Sequence, residues 1–198
     1  RNQATHTLAI AFRGTEGLLD APTDLLVTDL VGGVFGFKGT YLQLELLLIS
    51  RVISGAAALG VTKILVTGHS LGGALAEEMM ALHPDTSTLT FSGVTFGSPG
   101  SFDIARTPSS DLRLLNIGHV DLQGNGDPIY RLALGENAPG YDIRADLPLL
   151  TDGWNLSMHD SWQYQNSARL IADELNQNLK DGHGFDVRAF NYVIGTAP

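Results

Sequence analysis

The stretch Lys63-Ile64-Leu65-Val66-Thr67-Gly68-His69-Ser70-Leu71-Gly72-Gly73 decides how this chain is read. Lys63 to Thr67 is a short, nearly continuous β-prone run, the pattern of a strand buried in a parallel sheet. Leu71 to Leu82 places its apolar residues at helical spacing, and Pro84 stands just beyond to stop it. Ser70 lies on the turn between them, inside Gly68-x-Ser70-x-Gly72. A match to Gly-x-Ser-x-Gly arises by chance roughly once in six chains of this glycine content, so the strand–turn–helix context carries the reading. So sharp a turn strains the serine backbone and brings strand and helix together, and glycine at both flanks removes the Cβ atoms that would collide. The outcome is a hydroxyl held at a helix N-terminus, where developing negative charge is favoured. The competing reading is a glycine-rich turn with Ser70 as an ordinary helix N-cap.

Outward from this centre the chain alternates strand and helix. The pattern predicts a strand over 6–12, a helical patch near 24–31 that Pro22 helps to start, and a helix over 41–59 that Gly60 ends. It predicts strands over 89–96 and 112–117, a loop over 118–153 with Pro128, Pro139 and Pro148 as breakers, a helix over 161–179 closed by Asp181-Gly182, and a last strand over 187–194. Such alternation implies an α/β fold with a mostly parallel central sheet and helices on both faces. No repeat or linker interrupts it, and 198 residues suit one domain, so 1–198 reads as a single catalytic domain.

Composition narrows the partners. The formal net charge is −9 and no cluster of Lys and Arg stands out, which argues against nucleic acid as a ligand. Hydrophobic content of 43% with 17% charged residues marks a folded chain. There is no cysteine, hence no disulfide, thiolate metal site or cysteine nucleophile. The most apolar stretch, Leu42 to Val61, is broken by Glu45 and Arg51 and reads as a buried helix rather than a membrane span. The chain starts at Arg1, so it reads as a segment of something longer, and its targeting cannot be judged from that end.

A serine nucleophile needs a base, and an imidazole base needs a carboxylate to fix its tautomer. On an α/β sheet with this turn the chain order is serine, acid, histidine. His6 and His69 precede or adjoin Ser70 and fail that order. His83 closes the helix after the turn and suits a dipole role there, and His119 follows a strand end where a carboxylate is expected. His159, in a loop before a helix, is favoured, and His183 in Gly182-His183-Gly184 is its alternative. For the acid, Asp127 and Asp121 both lie after the strand ending at Ile117, and position alone leaves both open. Leu71 supplies one backbone N–H for an oxyanion, and the early junction Arg13-Gly14-Thr15 is the candidate for a second donor. A type II turn around Gly14 is the plainer reading of that junction.

With these pieces placed, the chain resembles bacterial true lipases exported by type I secretion with a calcium-binding repeat tail, and more loosely the class 3 lipases. The matching segments are Leu8-Ala9-Ile10-Ala11-Phe12-Arg13-Gly14-Thr15, Val66-Thr67-Gly68-His69-Ser70-Leu71-Gly72-Gly73, Leu115-Asn116-Ile117-Gly118, and Asp127-Pro128-Ile129-Tyr130-Arg131-Leu132. Trp154 with His159 is similar to the family's histidine loop. The resemblance implies an α/β-hydrolase fold, a Ser70, Asp127 and His159 triad, and Thr15 and Leu71 as oxyanion donors. It places Asp127 ahead of Asp121, although an insertion over 119–126 separates Asp127 from the Ile117-Gly118 match.

The resemblance further implies an apolar lid after Arg13-Gly14-Thr15, for which Leu18, Leu19, Leu25, Leu26 and Val27 are candidates. Asp20 and Asp24 there are candidates for a calcium pair, though solvated helix-start carboxylates are the plainer reading. No cofactor is needed for the chemistry itself. The implied substrate is an acylglycerol-type ester met at a lipid–water interface, and the implied location is extracellular. Phospholipase A1 or thioesterase activity on the same triad, or a non-catalytic lipid-binding module, are the alternatives. Asn191-Tyr192-Val193-Ile194-Gly195-Thr196 looks like the start of a Gly/Asp repeat tail.

Overall fold

A computed structural model describes residues 1–14, 41–100, 113–119, 126–133, 141–144 and 156–182. In chain order its elements are β1 (Thr7–Phe12), α1 (Tyr41–Ala58), β2 (Lys63–His69), α2 (Leu71–Leu82), β3 (Thr90–Phe96), β4 (Leu114–Gly118), α3 (Pro128–Ala133), β5 (Tyr141–Arg144), a 3₁₀ turn (Leu156–His159) and α4 (Ser161–Lys180). The five strands form one sheet in the order β1-β2-β3-β4-β5, and each neighbouring pair is parallel.

Register and side-chain alternation assign the two faces. Ile64 pairs with Leu8 and with Phe91, and Gly93 pairs with Leu114, so these residues point the same way. On that side Ile64, Val66, Phe91 and Leu114 pack with Ala76, Met79 and Met80 of α2 and with Ile49 and Ala56 of α1. Ile64 and Val66 are wholly removed from water, and burial of such a side chain contributes about 1.5–3 kcal/mol. On the opposite side Val94, Phe96, Leu115 and Ile117 pack with Tyr164 and Ile171 of α4. The chain is therefore an α/β fold with a parallel sheet and helices on both faces, as the alternation predicts.

Two elements depart from the expectation of loop over 118–153. Pro128 starts α3 instead of breaking structure. Its missing N–H and fixed φ suit the first helical position, and the Asp127 side chain accepts the next two backbone N–H groups, of Ile129 (2.8 Å) and Tyr130 (3.3 Å). The four-residue β5 pairs Tyr141 to Arg144 with Leu115 to Gly118, and so short a strand owes its existence to that ladder more than to its own pattern. β2 also runs to His69, two residues past the predicted end, because Gly68 and His69 keep pairing with Thr95 and Phe96. The helical patch near 24–31, the lid candidates Leu18, Leu19, Leu25, Leu26 and Val27, and the last strand over 187–194 lie outside the described residues.

Candidate active site

The parallel sheet delivers its strand ends to one edge, and the candidate residues gather there. β2 ends at His69, one residue before Ser70, and α2 starts at Leu71. Ser70 has φ 57° and ψ −131°, a conformation that non-glycine residues rarely hold. A Cβ at Gly68 would collide with the Gly72 carbonyl, and one at Gly72 would collide with the Phe12 carbonyl at the end of β1. Glycine at both positions is therefore a condition of the turn, as its sequence suggests. The Ser70 N–H donates to the Phe96 carbonyl at 3.0 Å, and the Ser70 carbonyl accepts from Gly73 at 2.8 Å.

Ser70 occupies the N-cap position, yet its hydroxyl makes no capping bond. The N-cap explanation of this serine is thereby removed. Its Oγ is buried and has no hydrogen-bond partner among the described residues, a costly state that proteins tolerate chiefly where the group has other work.

Asp127 and His159 arrive from separate elements and meet. The Asp127 N–H is anchored on the His119 carbonyl, just past β4, at 2.8 Å. One carboxylate oxygen, Oδ1, is held by the first N–H groups of α3. The other, Oδ2, accepts from His159 Nδ1 at 2.8 Å and from the Tyr164 hydroxyl at 2.5 Å. Gly97, at φ +54°, leaves room for this: a Cβ there would sit 3.0 Å from Asp127 Oδ2 and 2.9 Å from the Tyr164 ring. His159 ends the 3₁₀ turn, is 3% exposed, and keeps its Nε2 buried with no hydrogen-bond partner among the described residues.

Charge follows from these contacts. Burial works against an ionised Asp127, but the hydrogen bond and charge of His159, with the Tyr164 hydroxyl and the Ile129 N–H, outweigh it and hold the carboxyl below its ordinary range. Burial, then the facing carboxylate, pushes the Tyr164 hydroxyl well above its usual value, so it stays a donor. Because a carboxylate only accepts, His159 Nδ1 carries the proton, and neutral His159 presents a free lone pair at Nε2.

Three residues complete the cluster that sequence reasoning passed over: Tyr164, His69 and His119. In the chain His69 reads as a histidine that fails the order rule and His119 as one at a strand end where a carboxylate is expected, and no local signal marks Tyr164. His69 Nε2 lies 2.7 Å from the His159 carbonyl, and its ring centroid is 4.6 Å from that of His159. His119 is fully buried and stacks flat on Tyr164, with centroids 3.7 Å apart. Burial lowers the pKa of both, His69 to about 4, with the neighbouring His159 adding to the effect. His83 bonds the Met79 carbonyl at the end of α2, away from the cluster.

A stability prediction follows. Unfolded histidine takes up its proton near pH 6.5, whereas folded His69 resists until about pH 4. Between these values the unfolded chain binds more protons, so stability falls as the pH is lowered. The carbonyl of His159 and the carboxylates of Asp127 and Asp160 face His69 and partly offset its burial and its repulsion with His159. His119 acts in the same direction, and Asp127 adds a further loss below its ordinary value of 3.8. Urea unfolding at stepped pH is expected to show stability declining from pH 6.5 toward 4, with a shallower decline in His69→Leu. A flat profile over that window would contradict it.

Of the oxyanion candidates, Leu71 opens α2 beside Ser70. Gly14, next to Thr15, lies against the turn: a Cβ there would sit 2.5 Å from the His69 carbonyl oxygen and 3.2 Å from Ser70 Cβ. Thr15 itself lies outside the described residues, as do Asp20 and Asp24, the alternatives Asp121 and His183, and Trp154. Among the described residues no group of three His, Asp or Glu side chains is disposed to hold a metal ion, and no helix is long and apolar enough to cross a membrane.

The family model described as lipase (class 3) matches residues 9–113, a little over half of the chain. No curated protein matches it.

Proposed function

The chain belongs to the class 3 lipase family, a family of ester hydrolases acting on lipid, and from that premise we propose that it cleaves acylglycerol-type esters through an acyl-enzyme on Ser70. One observation carries the reading. Ser70 Oγ and His159 Nε2 are both buried and lack hydrogen-bond partners among the described residues, while His159 Nδ1 is fixed on Asp127. Nucleophile–base hydrogen bonds in unliganded sites are often long or poorly aligned and tighten when substrate binds, which leaves these two groups free for each other.

The reaction then runs in two balanced halves. Ser70 Oγ adds to the ester carbonyl as its proton passes to His159 Nε2, and the carbonyl oxygen gains negative charge. The Leu71 N–H, with Thr15 as the second donor, stabilises that charge at the N-terminus of α2. Collapse expels the alcohol, which takes the proton from His159, and leaves acyl-Ser70. Water repeats the sequence and releases the acid. Asp127 keeps its charge throughout and steadies the imidazolium. No step is routed through a cation.

The segments ending in Ile129-Tyr130-Arg131-Leu132 support a lipase of the type I-secreted, calcium-repeat kind, acting outside the cell as a single catalytic domain on lipid, without nucleic acid. A fluorophosphonate probe is expected to label wild-type protein at Ser70 with loss of activity. Folded protein that takes no label would favour the non-catalytic lipid-binding module. Phospholipase A1 or thioesterase preference would show instead as labelled protein that cleaves phospholipid or thioester faster than acylglycerol.

A further inference from the structure

His159 sits at the end of a four-residue 3₁₀ turn, and the last carbonyls of such a turn have no partner within it. Here both are taken by histidine rings. His119 Nδ1 lies 2.8 Å from the Met158 carbonyl, and His69 Nε2 lies 2.7 Å from the His159 carbonyl. A carbonyl only accepts, so each of these ring nitrogens carries a proton. Neutral His119 is then an acceptor at Nε2, where Ser167 Oγ stands at 2.8 Å to donate. The Met158 carbonyl thus selects the tautomer, and the serine hydroxyl, able to donate or accept, suits it by donating.

We propose that His69 and His119 are positioning residues whose ring N–H groups clamp the successive carbonyls of Met158 and His159 and so fix how far the His159 imidazole reaches toward Ser70. The proposal rests on the reading of Ser70, Asp127 and His159 given above. The two clamps come from different strands. His69 closes β2 and is the chain neighbour of Ser70, so a single hydrogen bond ties the nucleophile's strand to the base's backbone. His119 lies just past β4, and its own carbonyl anchors the Asp127 N–H. Its backbone N–H also donates to the Tyr164 hydroxyl oxygen at 3.2 Å, and that hydroxyl donates to Asp127. The groups that orient His159 are therefore tied to two strand ends, His69 directly and Asp127 and Tyr164 through the His119 backbone. Precision of this kind matters because a displacement of about 1 Å between reacting groups costs on the order of 100-fold in rate.

The test uses paired variants. In His69→Gln the amide nitrogen replaces the Nε2–H donor, and in His119→Asn it replaces the Nδ1–H donor; His69→Leu and His119→Leu remove the donors. With 4-nitrophenyl butyrate as substrate, each leucine variant is expected to lose about 10- to 100-fold in kcat. KM should stay within about threefold, and fluorophosphonate labelling should slow in parallel. The amide variants should recover to within about fivefold of wild type. Leucine variants with wild-type kcat, or amide variants no better than leucine, would overturn the clamp. Should a leucine variant fail to fold by circular dichroism, His69→Asn and His119→Gln, whose amides are misplaced by one bond, replace it with the same expected losses. A failure of the underlying reading looks different: Ser70→Ala would then keep its activity, whereas a failed clamp leaves Ser70→Ala inactive and the leucine variants active.

Discussion

Ser70→Ala is expected to lower kcat/KM for ester hydrolysis by about four to six orders of magnitude without lowering the melting temperature. The two halves of that expectation have separate causes. Activity falls because the proposed acyl-enzyme has no other nucleophile at the turn. Stability holds because Oγ makes no hydrogen bond among the described residues, so its removal forfeits none of those bonds and relieves a buried, unpaired hydroxyl. His159→Ala should lose a similar factor, and the double variant should be no worse than either alone, since the two groups act on one proton. Steady-state hydrolysis of a soluble ester together with thermal unfolding checks all three. Retention of more than a few per cent of activity in Ser70→Ala would remove serine catalysis at this site.

Asp127→Asn is expected to cost about 10⁴-fold in kcat, and the reason lies in how the carboxylate is held. Oδ1 accepts the Ile129 and Tyr130 N–H groups, so the amide oxygen of the variant must take that position. Its NH₂ is then turned toward two donors, the His159 Nδ1–H and the Tyr164 hydroxyl. His159 can accept from that amide only by moving its proton to Nε2, which ends its use as a base. The same crowding should lower the melting temperature, because two buried donors lose their acceptor. Measurement of kcat and thermal unfolding on the one variant tests both effects. Near-wild-type activity would instead return the role to Asp121.

How much of this could be read in the chain varies by element. The turn at Ser70 was fully legible, because Gly68, Gly72 and the flanking periods are local signals and the backbone collisions they avoid are local too. α2 and α4 start at the residues their spacing predicts, Leu71 and Ser161. α3 and β5 were not legible. Pro128 reads as a breaker until Asp127 is seen to accept the following N–H groups, and four residues carry too little pattern to announce an edge strand. Tyr164, His69 and His119 were missed as site residues for a related reason. Their roles consist of contacts across the fold, and nothing beside them in the chain marks a residue whose partner is remote.

By itself the sequence determined the strand–turn–helix that strains Ser70, the parallel α/β layering around it and, through its motifs, the kind of chemistry to look for. Local dihedral preference and apolar period are enough for that. Only the tertiary structure decided that the His159 ring lies on Asp127, 32 positions away in the chain, and that the histidine beside Ser70 holds a carbonyl 90 positions away. Those meetings depend on the register of β2 and β4 and on where the loops return α4 to the sheet. Such long-range closures are set by the packing of the whole core rather than by any one segment.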